Sequence, residues 1–119
     1  MKALEPNINP ALYQDKVDNR AEIVYEMTTH QKDLPFGIAI ADIQQSEPHY
    51  HKVTMETYTV VQGDLEVRLG AESHILHPGD VIKIPLGVIH SARSLSEIPA
   101  RIIVIAIPAF SMEDYHPAD

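Results

Sequence analysis

The sequence predicts an all-β chain, an antiparallel sandwich or barrel, and three observations carry that prediction. Apolar residues recur in short runs of roughly alternating polarity. Gly and Pro turn signals separate these runs at short intervals, and no segment shows a convincing amphipathic helical pattern.

Length and composition set the bounds. A chain of 119 residues is one domain, large enough for a real core and too small for two. A formal charge of −8, with no basic patch anywhere, argues against a nucleic-acid partner and against an anionic membrane surface. No cysteine is present, which excludes a disulfide framework and thiolate metal sites. Met1–Leu4 runs into Glu5, Pro6 and Asn7 rather than into an apolar signal segment, and no stretch is long enough to span a bilayer. A cytoplasmic protein is the expectation.

The elements follow in order. Residues 1–20 are polar, and Pro6 and Pro10 break any early helix, so an irregular N-terminal arm is expected, either frayed or docked on a partner subunit. Residues 21–119 are then a single barrel domain. Glu22–Met27 and Phe36–Ile43 read as strands, joined by a loop at His30–Pro35. Two strands flank a bend at Lys52–Met55, and Gln62-Gly63-Asp64 is a turn. Asp64–Leu69 and Ser73–Leu76 form a hairpin about Gly70-Ala71, and Val81–Ile84 precedes a constrained Pro85-Leu86-Gly87 loop. His90–Ser94 returns as a strand, and the continuous apolar run Ala100–Ile107 suggests a strand buried on both sides. Pro108 stops it. The tail from Phe110 to Asp119 is acidic and partly irregular, with Ser111 placed to cap a short helix.

The candidate chemistry lies in HYHKVTMETYTVVQG (49–63) and GDVIKIPLGVIH (79–90). Side chains alternate faces along a strand, so His49 and His51 point the same way and can share one ion. Glu56 is an odd number of positions from His51, so the bend between them is needed to return its carboxylate to that face. His90 then arrives on a neighbouring strand behind the Pro-x-Gly loop. Three imidazoles and one carboxylate suit Mn, Fe, Ni, Zn or Co. The alternative is a set of polar strand-end side chains bonded to one another. Tyr58 shares the face of Glu56 and is a candidate to supply a proton or to orient a substrate, unless its ring only fills the barrel. Val60, Leu65, Val67 and Ile84 are expected as apolar walls of the site. His30, His74, His77 and His116 stand outside the pattern and read as surface or turn residues; Lys52 and Arg93 read as solvated surface or an interface salt bridge, and Arg101, at the start of an apolar strand, reads as a snorkelling side chain rather than a charge that binds an anionic substrate at the mouth.

The spacing H-x-H-x4-E-x6-G at His49, His51, Glu56 and Gly63 resembles the first cupin motif, and G-x5-P-x-G-x2-H at Gly79, Pro85, Gly87 and His90 resembles the second. The departures are Ile43, where the first motif usually opens with Gly, and Ser94, where the second usually closes with Asn; neither is a ligand position. The resemblance covers roughly residues 35–110 and implies a double-stranded β-helix, or jelly roll, with His49, His51, Glu56 and His90 binding one divalent transition metal. Cupins with this ligand set include dioxygenases, decarboxylases, isomerases and epimerases of small polar molecules, whereas others bind a sugar or sense a ligand. A metal-dependent enzyme acting on a small polar or sugar-like molecule is therefore expected, as an oxidoreductase, isomerase or lyase. The competing reading is a non-catalytic metallo-cupin that binds a small ligand or uses metal structurally. A regulatory effector domain is disfavoured because no helix-turn-helix accompanies the barrel. A small barrel with open edges and an apolar outer face also suggests a homodimer.

Overall fold

The computed structural model describes residues 15–18, 21–28 and 33–118. Its strands are β1 (Asp15–Asp18), β2 (Glu22–Glu26), β3 (Gly37–Ile43), β4 (His49–Tyr50), β5 (Met55–Gln62), β6 (Leu65–Leu69), β7 (Glu72–Leu76), β8 (Val81–Ile84), β9 (His90–Ser94), β10 (Ala100–Ile107) and β11 (His116–Pro117). They form a six-stranded sheet in the order β1-β2-β3-β10-β5-β8 and a five-stranded sheet in the order β11-β4-β9-β6-β7. Every pairing is antiparallel. This is the expected jelly roll, two sheets closed around one core. No helix among the described residues is long and apolar enough to cross a membrane.

Alternation decides which side chains enter. On β3, Gly37, Ala39, Ala41 and Ile43 are buried while Ile38, Ile40 and Asp42 are not. On β5 the same period buries Glu56, Tyr58 and Val60. Ile43, Leu65, Ile84, Ile102, Val60 and Val67 are the largest fully buried apolar side chains, each contributing roughly 1.5–3 kcal/mol by leaving water. Two glycines hold the turns that deliver the site. Gly63 has φ 82°, and a Cβ there would stand 3.3 Å from the Ala100 Cα. Gly87, at φ 75°, sends its N–H to the His51 carbonyl over 2.7 Å, tying the Pro-x-Gly loop to the histidine pair.

Two expectations need correction. The arm expected over 1–20 is not irregular throughout: Asp15–Asp18 pairs with β2 in the register Asp15↔Glu26 to Asp18↔Ile23, because the edge of β2 offers unpaired backbone groups that an extended segment satisfies. Residues 1–14 and 19–20 lie outside the described residues. The apolar run Ala100–Ile107 is buried on one face only. Ala100, Ile102 and Ala106 point into the barrel, while Ile105 and Ile107 are 38% and 53% exposed on the outer face. The run is continuous because both faces are apolar, not because both are covered.

Candidate metal centre

Each of the four predicted ligands arrives by a different route. His49 on β4 and His90 on β9 are direct cross-strand partners, so their side chains leave the five-stranded sheet on the same face, with ring centroids 4.2 Å apart. Glu56 comes from β5 in the other sheet, opposite Ala106 of β10 and Ile84 of β8. His51 follows the end of β4, and the break at residues 51–54 between β4 and β5 resets the parity as the spacing required. One ligand atom from each of the four lies within 4.8 Å of the others, and all four residues are buried.

The surroundings fix which atoms face inward. The Nδ1 of His49 is 2.7 Å from the Glu47 carbonyl, that of His51 is 2.9 Å from the Asp114 carbonyl, and that of His90 is 3.0 Å from the Val88 carbonyl. A carbonyl only accepts, so each Nδ1 carries the hydrogen and each Nε2 of a neutral ring turns a lone pair to the centre. There, His51 Nε2 is 3.2 Å and His90 Nε2 3.6 Å from Glu56 Oε1, yet none of these three buried atoms has a hydrogen-bond partner. Lone pairs aimed at a carboxylate oxygen at this distance repel unless a cation lies among them. The donor set therefore fits a divalent metal ion, with backbone carbonyls orienting every imidazole from outside.

The charges are strongly coupled. Burial, with the charge of His90, pushes His49 down to about 4. Burial also opposes a proton on His51, but the Glu56 carboxylate outweighs it and draws His51 up. Glu56 is held down to about 2 because the imidazoles of His51 and His90 overcome its desolvation. Burial dominates at His49, whereas at His51 and Glu56 the neighbouring members of the cluster outweigh it.

A cavity of about 290 Å³ opens beside the cluster. Tyr58 is buried in its wall, with its ring 6.3 Å from that of His90. Burial and the nearby Glu56 carboxylate push the Tyr58 phenol well above its ordinary value, so it stays an O–H donor. Val60, Leu65, Val67 and Ile84, expected as cavity walls, are packed core residues instead. Their strand faces point into the closed part of the barrel, and the open wall is made by Val24 of β2, Ala39 and Ala41 of β3, and Ile102, Val104 and Ala106 of β10, where the three alanines leave the space.

The tail contributes more than the sequence suggests. Ser111 caps the short 3-10 turn Met112–Asp114, its hydroxyl accepting from the Glu113 N–H. The Asp114 carboxylate then accepts from the N–H groups of Lys52, Val53 and Thr54 at 2.8 to 3.1 Å. Burial works against it, but those of Thr54, Lys52 and Val53 hold it at about 2. Tyr115 stacks on His49 with centroids 4.6 Å apart, and Phe110 meets the edge of His51. Glu22 also lines the cavity, where burial and then the charge of Glu56 raise its carboxyl to about 6. No motif spacing marks Asp114 or Tyr115. The alternation Glu22-Val24-Glu26 was the available sign that an acidic face of β2 turns inward.

The remaining histidines stand apart from this cluster. His74 faces Glu72, His77 faces Asp64, and His116 stacks on Tyr50. His30 lies outside the described residues. Arg93 pairs with Glu66 at 2.9 Å, and Arg101 grips Asp42 through two bonds of 2.6 and 2.9 Å.

Comparison with known proteins agrees with this geometry. The family model for the Cupin domain matches residues 40–106. An uncharacterized protein of Aquifex aeolicus (strain VF5) is 37% identical over 73 residues, which are 60% of this chain and 60% of that protein, so the chain spans less than two thirds of this relative. KdgF from Halomonas sp. superposes with a TM-score of 0.70 at 25% identity, over 85% of this chain and 92% of that one. Pac13 of Streptomyces, described as a nucleoside dehydratase, superposes with a TM-score of 0.78 at 13% identity, over 97% of this chain and 92% of that one, a likeness of fold alone. With both motifs inside the matched residues and the jelly roll around them, the chain belongs to the Cupin domain family.

Proposed function

We propose that this chain is a metal-dependent cupin enzyme acting on a small polar or sugar-like molecule, with His49, His51, Glu56 and His90 holding one ion of Mn, Fe, Ni, Zn or Co. One observation carries the reading. His51 Nε2, His90 Nε2 and Glu56 Oε1 converge in a buried space with no hydrogen-bond partner, while every imidazole is oriented through its Nδ1. A bound divalent ion supplies Lewis-acid polarisation or, if redox-active, oxygen activation.

The rest is done by the chain's own groups. Tyr58 donates a hydrogen bond to the substrate and orients it, since its hydroxyl keeps its proton at neutral pH. The walls of β3 and β10 exclude water from one side of the substrate, and Tyr115 and Phe110 cover the histidines. The family likeness and the adjoining cavity favour turnover over a purely structural ion. Dioxygenase, isomerase and decarboxylase chemistry all suit this arrangement. The apolar outer face around Ile105 and Ile107 supports a homodimer.

The test is elemental analysis of protein purified without chelator or affinity-column metal, beside His51→Ala. Near-stoichiometric metal in the wild type and its loss in the variant support the reading; two metal-free proteins sink it. Iron directs assays to oxygen uptake, and Mn, Ni or Zn to isomerase or decarboxylase substrates.

A further inference from the structure

The cavity beside the cluster is aromatic where the tail borders it. The chain holds five Tyr and two Phe, and three of these, Tyr58, Phe110 and Tyr115, line this one space. Phe110 and Tyr115 both come from the segment that follows β10. Tyr115 lies nearly parallel to the His49 ring, at 21° with centroids 4.6 Å apart, and Phe110 stands at 86° to His51 with centroids 5.7 Å apart. Each ring therefore borders a histidine and the cavity at once. The sheet wall brings Ala39, Ala41 and Ala106, whose methyl groups leave depth and make no directional bond.

The tail is fixed in this place. The Thr54 hydroxyl donates to the Pro108 carbonyl over 3.2 Å, and the N–H groups of Tyr115 and Ala118 donate to the carbonyls of Met112 and Pro48 at 3.2 and 3.0 Å. Ala109 packs on Gly37, where a Cβ would stand 3.4 Å from the Ala109 Cα. Rings held before a ligand arrives lose little freedom when it binds.

We propose that Phe110 and Tyr115 are specificity-determining residues that select a substrate built on a flat, unsaturated ring whose polar end reaches the histidine cluster. The inference rests on the metal-centre reading and narrows its substrate from small polar molecules in general to those with a planar ring. Such a ring makes offset or edge contacts with Phe110 and Tyr115 through the opposed charge of ring face and ring edge, in addition to the area it buries. A saturated ring of the same size gains the area alone. The volume of about 290 Å³ lies at the lower end of the range for ligand pockets and suits a single substituted ring.

The test titrates Co(II)-loaded protein, whose visible absorption reports ligand entry, with benzohydroxamate and cyclohexanecarbohydroxamate. The two share one metal-binding head and differ in whether the ring is flat, so a general change at the metal cancels in the ratio of their dissociation constants. The wild type should bind the planar ligand more tightly; a preference for the saturated one, or a Co(II) spectrum that neither ligand alters, overturns the proposal without any variant. Tyr115→Leu and Phe110→Leu should each move the ratio roughly 3- to 10-fold toward the saturated ring, and Tyr115→Phe should leave it unchanged. A shift in Tyr115→Phe as large as in Tyr115→Leu assigns the effect to the hydroxyl and overturns selection by the ring. An unchanged ratio in the folded Leu variants overturns the proposal while the Co(II) absorption keeps the metal centre standing. A wild type with no Co(II) absorption overturns both.

Discussion

Asp114 and His51 are joined across 63 positions of sequence: the Asp114 carbonyl receives the His51 Nδ1 hydrogen at 2.9 Å. The carboxylate of the same residue fastens the three backbone N–H groups that follow His51. One residue of the tail thus sets both the ring of His51 and the loop that restores strand parity for Glu56.

Asp114→Asn should keep the barrel and loosen the site. The amide offers one acceptor oxygen in place of two and no charge, so loop 52–54 loses part of its anchor. Metal affinity should fall roughly 10- to 100-fold, the range for removing a group that orients a ligand. Competitive titration against a chromophoric chelator measures this, and an unchanged affinity would show that the loop is held by other contacts.

His90→Ala should abolish stoichiometric metal, whereas His74→Ala and His77→Ala should retain it. The latter two face Glu72 and Asp64 on the surface, away from the four-residue cluster. Elemental analysis of the three variants side by side separates a built site from general histidine affinity. Loss of metal in all three would speak against it.

Glu22 predicts a pH dependence of stability. Its folded carboxyl is raised to about 6 from 4.5, so the folded chain binds this proton more tightly than the unfolded one. The associated stability is fully present below about 4.5 and is lost as pH rises through about 6, a difference of about 2 kcal/mol. Glu22→Gln should therefore melt above the wild type at pH 7.5 and close to it at pH 4. Thermal melts of metal-free protein at both values measure the difference, and parallel curves would contradict the burial of this carboxyl.

The outer face of β10 predicts association. Ile105→Lys/Ile107→Lys should convert a dimer to a monomer without altering metal content, because both side chains point away from the cavity. Sedimentation velocity decides it, and a wild type that is monomeric at micromolar concentration would sink the dimer.

Strand parity and turn chemistry made the barrel and the convergence of His49, His51, Glu56 and His90 legible. His49 and His51 share a face by simple alternation, and Glu56 could join them only through a break, which lies between β4 and β5. Other parts depend on packing that no local pattern encodes. The apolar string Ala100–Ile107 looks identical whether one face or both are covered. Val60 and Ile84 have the right parity for a cavity wall but sit in the closed part of the barrel, and small residues on other strands make the opening. The role of Asp114 rests on a contact between distant segments, and from sequence alone it is one acid in an acidic tail.

That contact also bears on how the protein is made. The groups that orient the ligands are drawn from residues 47 to 114, and β11 completes the five-stranded sheet by pairing with β4 only through His116 and Pro117. Contacts of such long sequence separation form late, after loop-closure entropy has been met by the rest of the sheet. A nascent chain that has exposed its histidines but not its last strand offers a metal only a loosely oriented set of rings. A fully oriented cluster would then require the segment through β11 to be in place.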